Sequence, residues 1–155
     1  MEMPFEQKWK LTVNSMGMFI QNILVPVFKE FGDEALQVLK EDFQEWGKEF
    51  GPVLQKVLQV DVSNVKDMAK VVDYMDEIMG VRGEWVETSP NRMVKQESFC
   101  PMVRYIKDCP QFCDLLIYDW GEAMLAAMNP KAKLSMTKCM AKGDDVCNII
   151  LETEE

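Results

Sequence analysis

At 155 residues the chain has the length of one domain, long enough to bury a core without help from a metal or a disulfide. Its 48% hydrophobic and 28% charged residues exclude a largely disordered chain. A formal net charge of −9 argues against nucleic acid and anionic membrane surfaces as partners, because phosphate binding needs clustered Lys and Arg.

The chain opens on Met1-Glu-Met-Pro-Phe-Glu, which lacks the basic region and apolar run of a signal peptide. No apolar stretch is expected to reach the roughly 20 residues that span a bilayer, so the expectation is a soluble, cytoplasmic protein. Residues 1–80 read as helices. Trp9, Val13, Met16, Ile20, Ile23 and Val27 recur at 4-3-4-3-4 spacing and form one apolar stripe. Pro26 removes a backbone donor, which predicts a kink or an end there. Leu36, Leu39, Phe43, Trp46 and Phe50 repeat the pattern in a second helix, which Gly51-Pro52 should interrupt. After the cap-rich Asp61-Val-Ser-Asn, a third stripe of Val65, Met68, Val72, Met75 and Met79 ends at Gly80.

Beyond Gly80 the period changes. Val81 to Thr88 and Arg92 to Phe99 are short strands joined by the turn Ser89-Pro90-Asn91, and their charged residues predict a hairpin with one wet face. Cys100-Pro101 ends the second strand. Pro110 starts a helix whose buried face is Phe112, Leu116, Trp120, Ala123 and Ala127, and Asn129-Pro130 stops it. A closing hairpin of Ala132 to Met140 and Val146 to Glu152 turns at Gly143-Asp144-Asp145. The expected architecture is a single α+β domain, residues 1–155, with three or four N-terminal helices packed on a sheet of four or more antiparallel strands.

All five cysteines lie beyond Phe99, and there is no histidine. If Met140 pairs with Val146, Cys139 stands opposite Cys147, within the reach of two thiolates sharing a metal or forming a disulfide. Cys109 precedes a helix N-terminus and Cys113 lies one turn inside it, a setting that favours thiolate. Four sulfurs suit a closed tetrahedral zinc site, although there is no Cys-x-x-Cys pair. The residues alone leave three readings open: a metal site, buried inert thiols, or a redox or nucleophilic cysteine. Without histidine no Cys-His or Ser-His dyad can form within the chain. Glu84 and Glu87 beside Trp85 are acid–base candidates or a solvated strand face. Thirteen methionines read as core filler or as a deformable ligand pocket.

From about Val81 onward, Cys100-Pro101, Phe112-Cys113, Asn129-Pro130 and the run from Cys139 through Gly143-Asp144-Asp145 to Cys147 carry a resemblance. They resemble the group that contains 4-vinyl reductase-like domains and L-2-amino-thiazoline-4-carboxylate hydrolase-like proteins. The zinc-binding pattern of the former has a helix cysteine, a Glu-x-x-Cys and a cysteine beyond a Gly-Asp turn. Cys113, Cys139 and Cys147 match its cysteines, while Met136 stands where the glutamate would be. The resemblance therefore implies a metal held by Cys113, Cys139 and Cys147, with Cys109 as fourth ligand and Cys100 in reserve. All-sulfur coordination favours zinc or an iron–sulfur centre. It further implies a fold like that of haem-NO sensor domains and transport-particle subunits, with an apolar pocket between helices and sheet, often in dimers. Haem is not expected, since that branch uses a proximal histidine.

Two functions follow as expectations. One is a sensor-like module that binds a small hydrophobic or aromatic molecule, with the metal stapling the closing hairpin to the helix. The other is a hydrolase acting on a small heterocyclic amino acid, with Arg104 or Lys138 holding the substrate carboxylate. A homodimer is expected through the helical half, whose Trp9, Phe19, Phe28, Phe31, Phe43, Trp46 and Phe50 exceed what one small sheet can cover.

Overall fold

The computed structural model describes residues 3–154; Met1 and Glu2, which open the N-terminal stretch read above, and Glu155 lie outside the described residues. Helix α1 (Phe5–Phe19) passes through a π segment (Ile20–Leu24) into α2 (Val25–Phe31). Pro26 therefore neither ends nor breaks the helix. It sits in the first turn of α2, and the wider turn just before it accommodates the missing donor. From Leu11 to Phe28 this region carries no charge. By length and composition Phe5–Phe31 is apolar enough to cross a membrane, which corrects the expectation that no such stretch exists. Val13, Ile20, Val25 and Phe28 are nevertheless buried against the rest of the fold.

Helix α3 (Asp33–Leu58) runs straight through Gly51-Pro52, so the expected interruption does not occur. Gly47 and Gly51 let α3 lie directly on the later helices. A Cβ at Gly47 would strike the carbonyl oxygen of Trp120, and one at Gly51 that of Met124. Helix α4 (Val65–Met79) is capped by Asn64, whose side chain accepts the Lys66 N–H at 2.9 Å, and Gly80 ends it.

Strands β1 (Arg82–Thr88) and β2 (Arg92–Phe99) form the first hairpin. Two one-turn helices, α5 (Val103–Ile106) and α6 (Gln111–Asp114), follow; the first was not foreseen. A second π segment (Leu115–Gly121) continues α6 into α7 (Glu122–Met128). Strand β3 (Ala132–Lys138) and strand β4 (Cys147–Thr153) close the sheet, whose antiparallel order is β1-β2-β4-β3. Helix α4 packs on β1, β2 and β4, and α7 packs on β3. The result is the α+β architecture expected, with Met68, Ile106, Leu125 and Leu151 at the centre of the core.

The first hairpin departs from expectation in one respect. Alternation along β2 places Met93, Lys95 and Glu97 on one face, and that face is buried. The hairpin keeps one wet face, carrying Glu84, Glu87 and Gln96, but two of its charged side chains point inward.

Candidate functional site

Between α1, α3, α4, the second π segment and the sheet lies a chamber of about 290 Å³. The walls are overwhelmingly apolar, with methionines contributed by α1, α4, the residue before α5, and β3. The residues with polar side chains are few: Asp76 of α4, Glu97 of β2, Trp46 and Trp120, and Cys100, Cys113 and Cys147.

The acidic wall is held by one lysine. Lys95 Nζ lies 2.5 Å from Asp73 Oδ1 and 2.5 Å from Asp76 Oδ2, and 5.3 Å from the centroid of the Trp85 ring. Trp85 Nε1 in turn donates to Asp73 Oδ1 at 3.0 Å. Burial presses the Lys95 ammonium toward neutrality, but the carboxylates of Asp73 and Asp76 beside it outweigh burial and keep the group above its ordinary value. Asp76 moves the other way: burial raises it, Lys95 opposes, and Asp73 adds repulsion. Both directions describe one charged lysine shared unequally. Asp76 is the weaker partner, since its buried Oδ2 meets the ammonium without an aligned hydrogen bond.

Glu97, two residues along the strand, is only 8% exposed. No donor among the described residues bonds its carboxyl. Burial, with Asp76 adding repulsion and Lys95 only partly offsetting, pushes it up to about 7. A carboxyl poised near neutrality beside an apolar chamber can both take and give a proton.

Aromatic rings form the opposite wall. Trp46 and Trp120 lie 5.0 Å apart with planes tilted by 38°, and Phe43 packs edge-on against Trp46 at 5.9 Å and Phe112 at 6.1 Å. Trp120 is 7% exposed and its Nε1 has no hydrogen-bond partner.

The cysteines divide differently from the expected ligand set. The Cys113 thiol is within hydrogen-bonding reach of Cys139 and feels Cys100 and Cys147; burial and these sulfurs push it far up. Burial likewise pushes Cys147 up to about 12 and raises Cys100. Cys109, the expected fourth ligand, faces a separate small cavity beside Phe28, Lys29 and Asp108. Among the described residues no group of three or more Cys, Asp or Glu side chains is placed to hold a metal ion. Cys113, Cys139 and Cys147 thus lie near one another with Cys100, while Cys109 stands apart.

The hairpin geometry explains part of this. The last ladder pair is Lys138↔Asn148, and Cys139 leaves the strand to open a 3₁₀ turn (Met140–Lys142) instead of continuing the ladder. Cys147 Sγ accepts the Met140 N–H at 3.3 Å. Gly143, at φ 103°, supplies the left-handed turn residue, and Asp144 accepts the Cys139 N–H at 2.7 Å. Where a metal staple was expected, Lys142 reaches Asp114 at 2.6 Å and ties the hairpin to α6.

Neither expected carboxylate anchor reaches the chamber. Arg104 is exposed and donates to Asn14 at 2.5 Å and Tyr105 at 2.6 Å, and Lys138 is exposed. Glu84 is exposed and Glu87 pairs with Arg92 at 3.2 Å, so both lie on the solvated strand face. Asp76, Lys95, Glu97 and the Trp46–Trp120 pair were missed. The signals were present: Asp76 lies four residues after Val72 on the apolar stripe of α4, and Lys95 and Glu97 alternate with Met93.

Residues 15–151 match the family model described as L-2-amino-thiazoline-4-carboxylic acid hydrolase. No curated protein matches the chain in sequence. Among solved structures, the chain is similar to a trafficking protein particle complex subunit 3 from Naegleria fowleri covalently bound to palmitic acid. That likeness has TM-score 0.68 at 13% identity, covering 94% of this chain and 97% of that one. An Fe(II) unliganded H-NOX protein from K. algicida aligns at TM-score 0.43 and 9% identity, covering 75% of this chain and 63% of that one.

Proposed function

We propose that the chain, which belongs to the L-2-amino-thiazoline-4-carboxylic acid hydrolase family, is a hydrolase that opens a carbon–nitrogen bond in a small heterocycle held in the chamber. The observation that carries this reading is Glu97: buried, without a hydrogen-bond donor, titrating at about 7 and lining the cavity. In the proposed step a water oxygen adds to the amidine carbon of the ring while the Glu97 carboxylate takes its proton. The carboxyl then returns that proton to the departing nitrogen, so one water is consumed and the bond opens. The thiols are poor nucleophiles here, because burial holds them protonated.

The test is incubation of the purified protein with 2-amino-2-thiazoline and with its 4-carboxylic acid, reading by mass spectrometry the gain of one water. Glu97→Gln should abolish the product. A Glu97→Gln protein as active as the parent would reject the assignment.

A second reading, a sensor-like module for a small hydrophobic or aromatic molecule, is favoured by the chamber's almost wholly apolar lining. Tight binding of such a molecule without any turnover would select it. Self-association belongs to either reading. On α1 and α2, Phe19 is 55% and Phe31 58% exposed beside Leu11, Met18 and Ile23, an apolar face that suits a two-fold contact.

A further inference from the structure

The chamber carries an unusual charge balance for an apolar cavity. Two carboxylates line it, and no lysine or arginine does. The one cation behind that wall, Lys95, is already engaged by Asp73 and Asp76. Glu97 is more than nine-tenths buried and receives no hydrogen bond from the described residues, and Asp76 Oδ2 is buried without an aligned one. Buried carboxylate oxygens with open acceptor capacity are costly unless something completes them. The facing wall presents Trp46, Trp120, Phe43 and Phe112, whose ring faces attract positive charge.

We infer that the chamber selects an organic monocation: an amidinium or ammonium group on a flat, compact, largely apolar body, with no carboxylate. The cationic N–H groups meet the Glu97 carboxylate in charge-assisted hydrogen bonds, and the body lies against the tryptophan pair. A carboxylate on the same body would enter a cavity lined by two carboxyl groups and no free cation. This inference rests on the hydrolase reading only for its location. It narrows the substrate to a cationic heterocycle, against the carboxylic acid in the family's name.

Three isosteric probes separate charge from shape: benzamidine (cation), benzamide (neutral) and benzoate (anion), titrated into the intact protein by calorimetry with tryptophan fluorescence in parallel. Benzamidine should bind at least about tenfold more tightly than benzamide, and benzoate more weakly than either. Glu97→Gln should erase most of the benzamidine advantage and leave benzamide unchanged, with circular dichroism reporting the fold. If that variant does not fold, the order of the three probes on the parent protein still decides. Benzoate binding as tightly as benzamidine would overturn the inference, as would an unchanged benzamidine preference in a folded Glu97→Gln protein. Turnover separates the two readings. Hydrolysis of the 4-carboxylic acid in preference to 2-amino-2-thiazoline rejects cation selection and keeps the hydrolase. Benzamidine selectivity with hydrolysis of neither ring rejects the hydrolase and keeps cation selection.

Discussion

Glu97 and Cys147 are direct partners across the β2–β4 ladder, so a buried carboxyl and a buried thiol stand side by side on the wall of one chamber. The carboxyl makes the thiol's ionisation harder: Glu97 is among the groups that raise Cys147, after burial itself. Both therefore favour their protonated forms unless an occupant brings positive charge.

The pH dependence of stability follows with a defined sign. The Glu97 carboxyl is raised from its ordinary 4.5 to about 7, facing Asp76 of α4, Lys95 of its own strand, and the thiols of Cys100 and Cys147. The unfolded chain loses that proton first. Its contribution to stability is thus full below pH 4.5 and is lost as pH rises through about 7. Removing the charge by Glu97→Gln should gain roughly 3 kcal/mol at pH 8 and close to nothing at pH 4.5. Urea melts at the two pH values check this, and an equal effect at both would refute it.

Lys95 tests the acidic wall from the other side. Lys95→Met leaves Asp76 buried and uncompensated, and should cost about 3–5 kcal/mol. Adding Asp76→Leu should restore most of the loss. If the double variant is as weak as the single one, the pair is not the reason for the lysine's position.

Thiol chemistry should be slow in the native protein. Only thiolate reacts with Ellman's reagent, and Cys100, Cys113 and Cys147 are all held protonated by burial. The five cysteines should label together only in denaturant. Rapid labelling of Cys113 or Cys147 at pH 8 in the folded state would contradict this.

Gly47 offers a test of sign. By helix propensity, Gly47→Ala should stabilise α3 by about 1 kcal/mol. By packing, its Cβ strikes the Trp120 carbonyl, so it should destabilise by about 1–3 kcal/mol and loosen the Trp46–Trp120 contact. A rise in thermal midpoint would mean that the two helices are not in the close contact described.

The proposed dimer is best probed away from the chamber. Trp46 is 48% exposed but also lines the cavity, so its substitution would mix two effects. Phe19→Glu with Phe31→Glu should convert a dimer to a species near 17.9 kDa by light scattering, with ligand binding intact. A parent protein that is already monomeric would reject the interface.

Helices, strands and their order were legible because apolar spacing changes from helical to alternating near Gly80, and turn residues mark the ends. Prolines misled, because Pro26 is absorbed by a wider turn and α3 runs on through Pro52. The site was less legible. Cysteines advertise themselves by rarity, whereas Lys95 and Glu97 look like ordinary strand charges until α4 is placed over them. Burial of a charge is a tertiary property, and no local pattern of β2 states which face the helices will cover.

The two π segments leave a mark on how this protein can change over time. Each contributes to the chamber wall, Ile20 from the first and Leu116, Ile117 and Trp120 from the second. Each accommodates about one residue more than an α turn would. Their effect is visible downstream, where Met124 and Met128 are buried and Ala127, placed inward by simple spacing, is exposed. Losing one residue from Leu115–Gly121 would restore α geometry there and leave α7 in its present orientation against α3 and β3, whereas the same loss inside α7 would rotate all that follows by about 100°. This wall can therefore shed a residue and reshape the chamber while the helices beyond it keep their places, a freedom that a regular α-helix at the same position would not give.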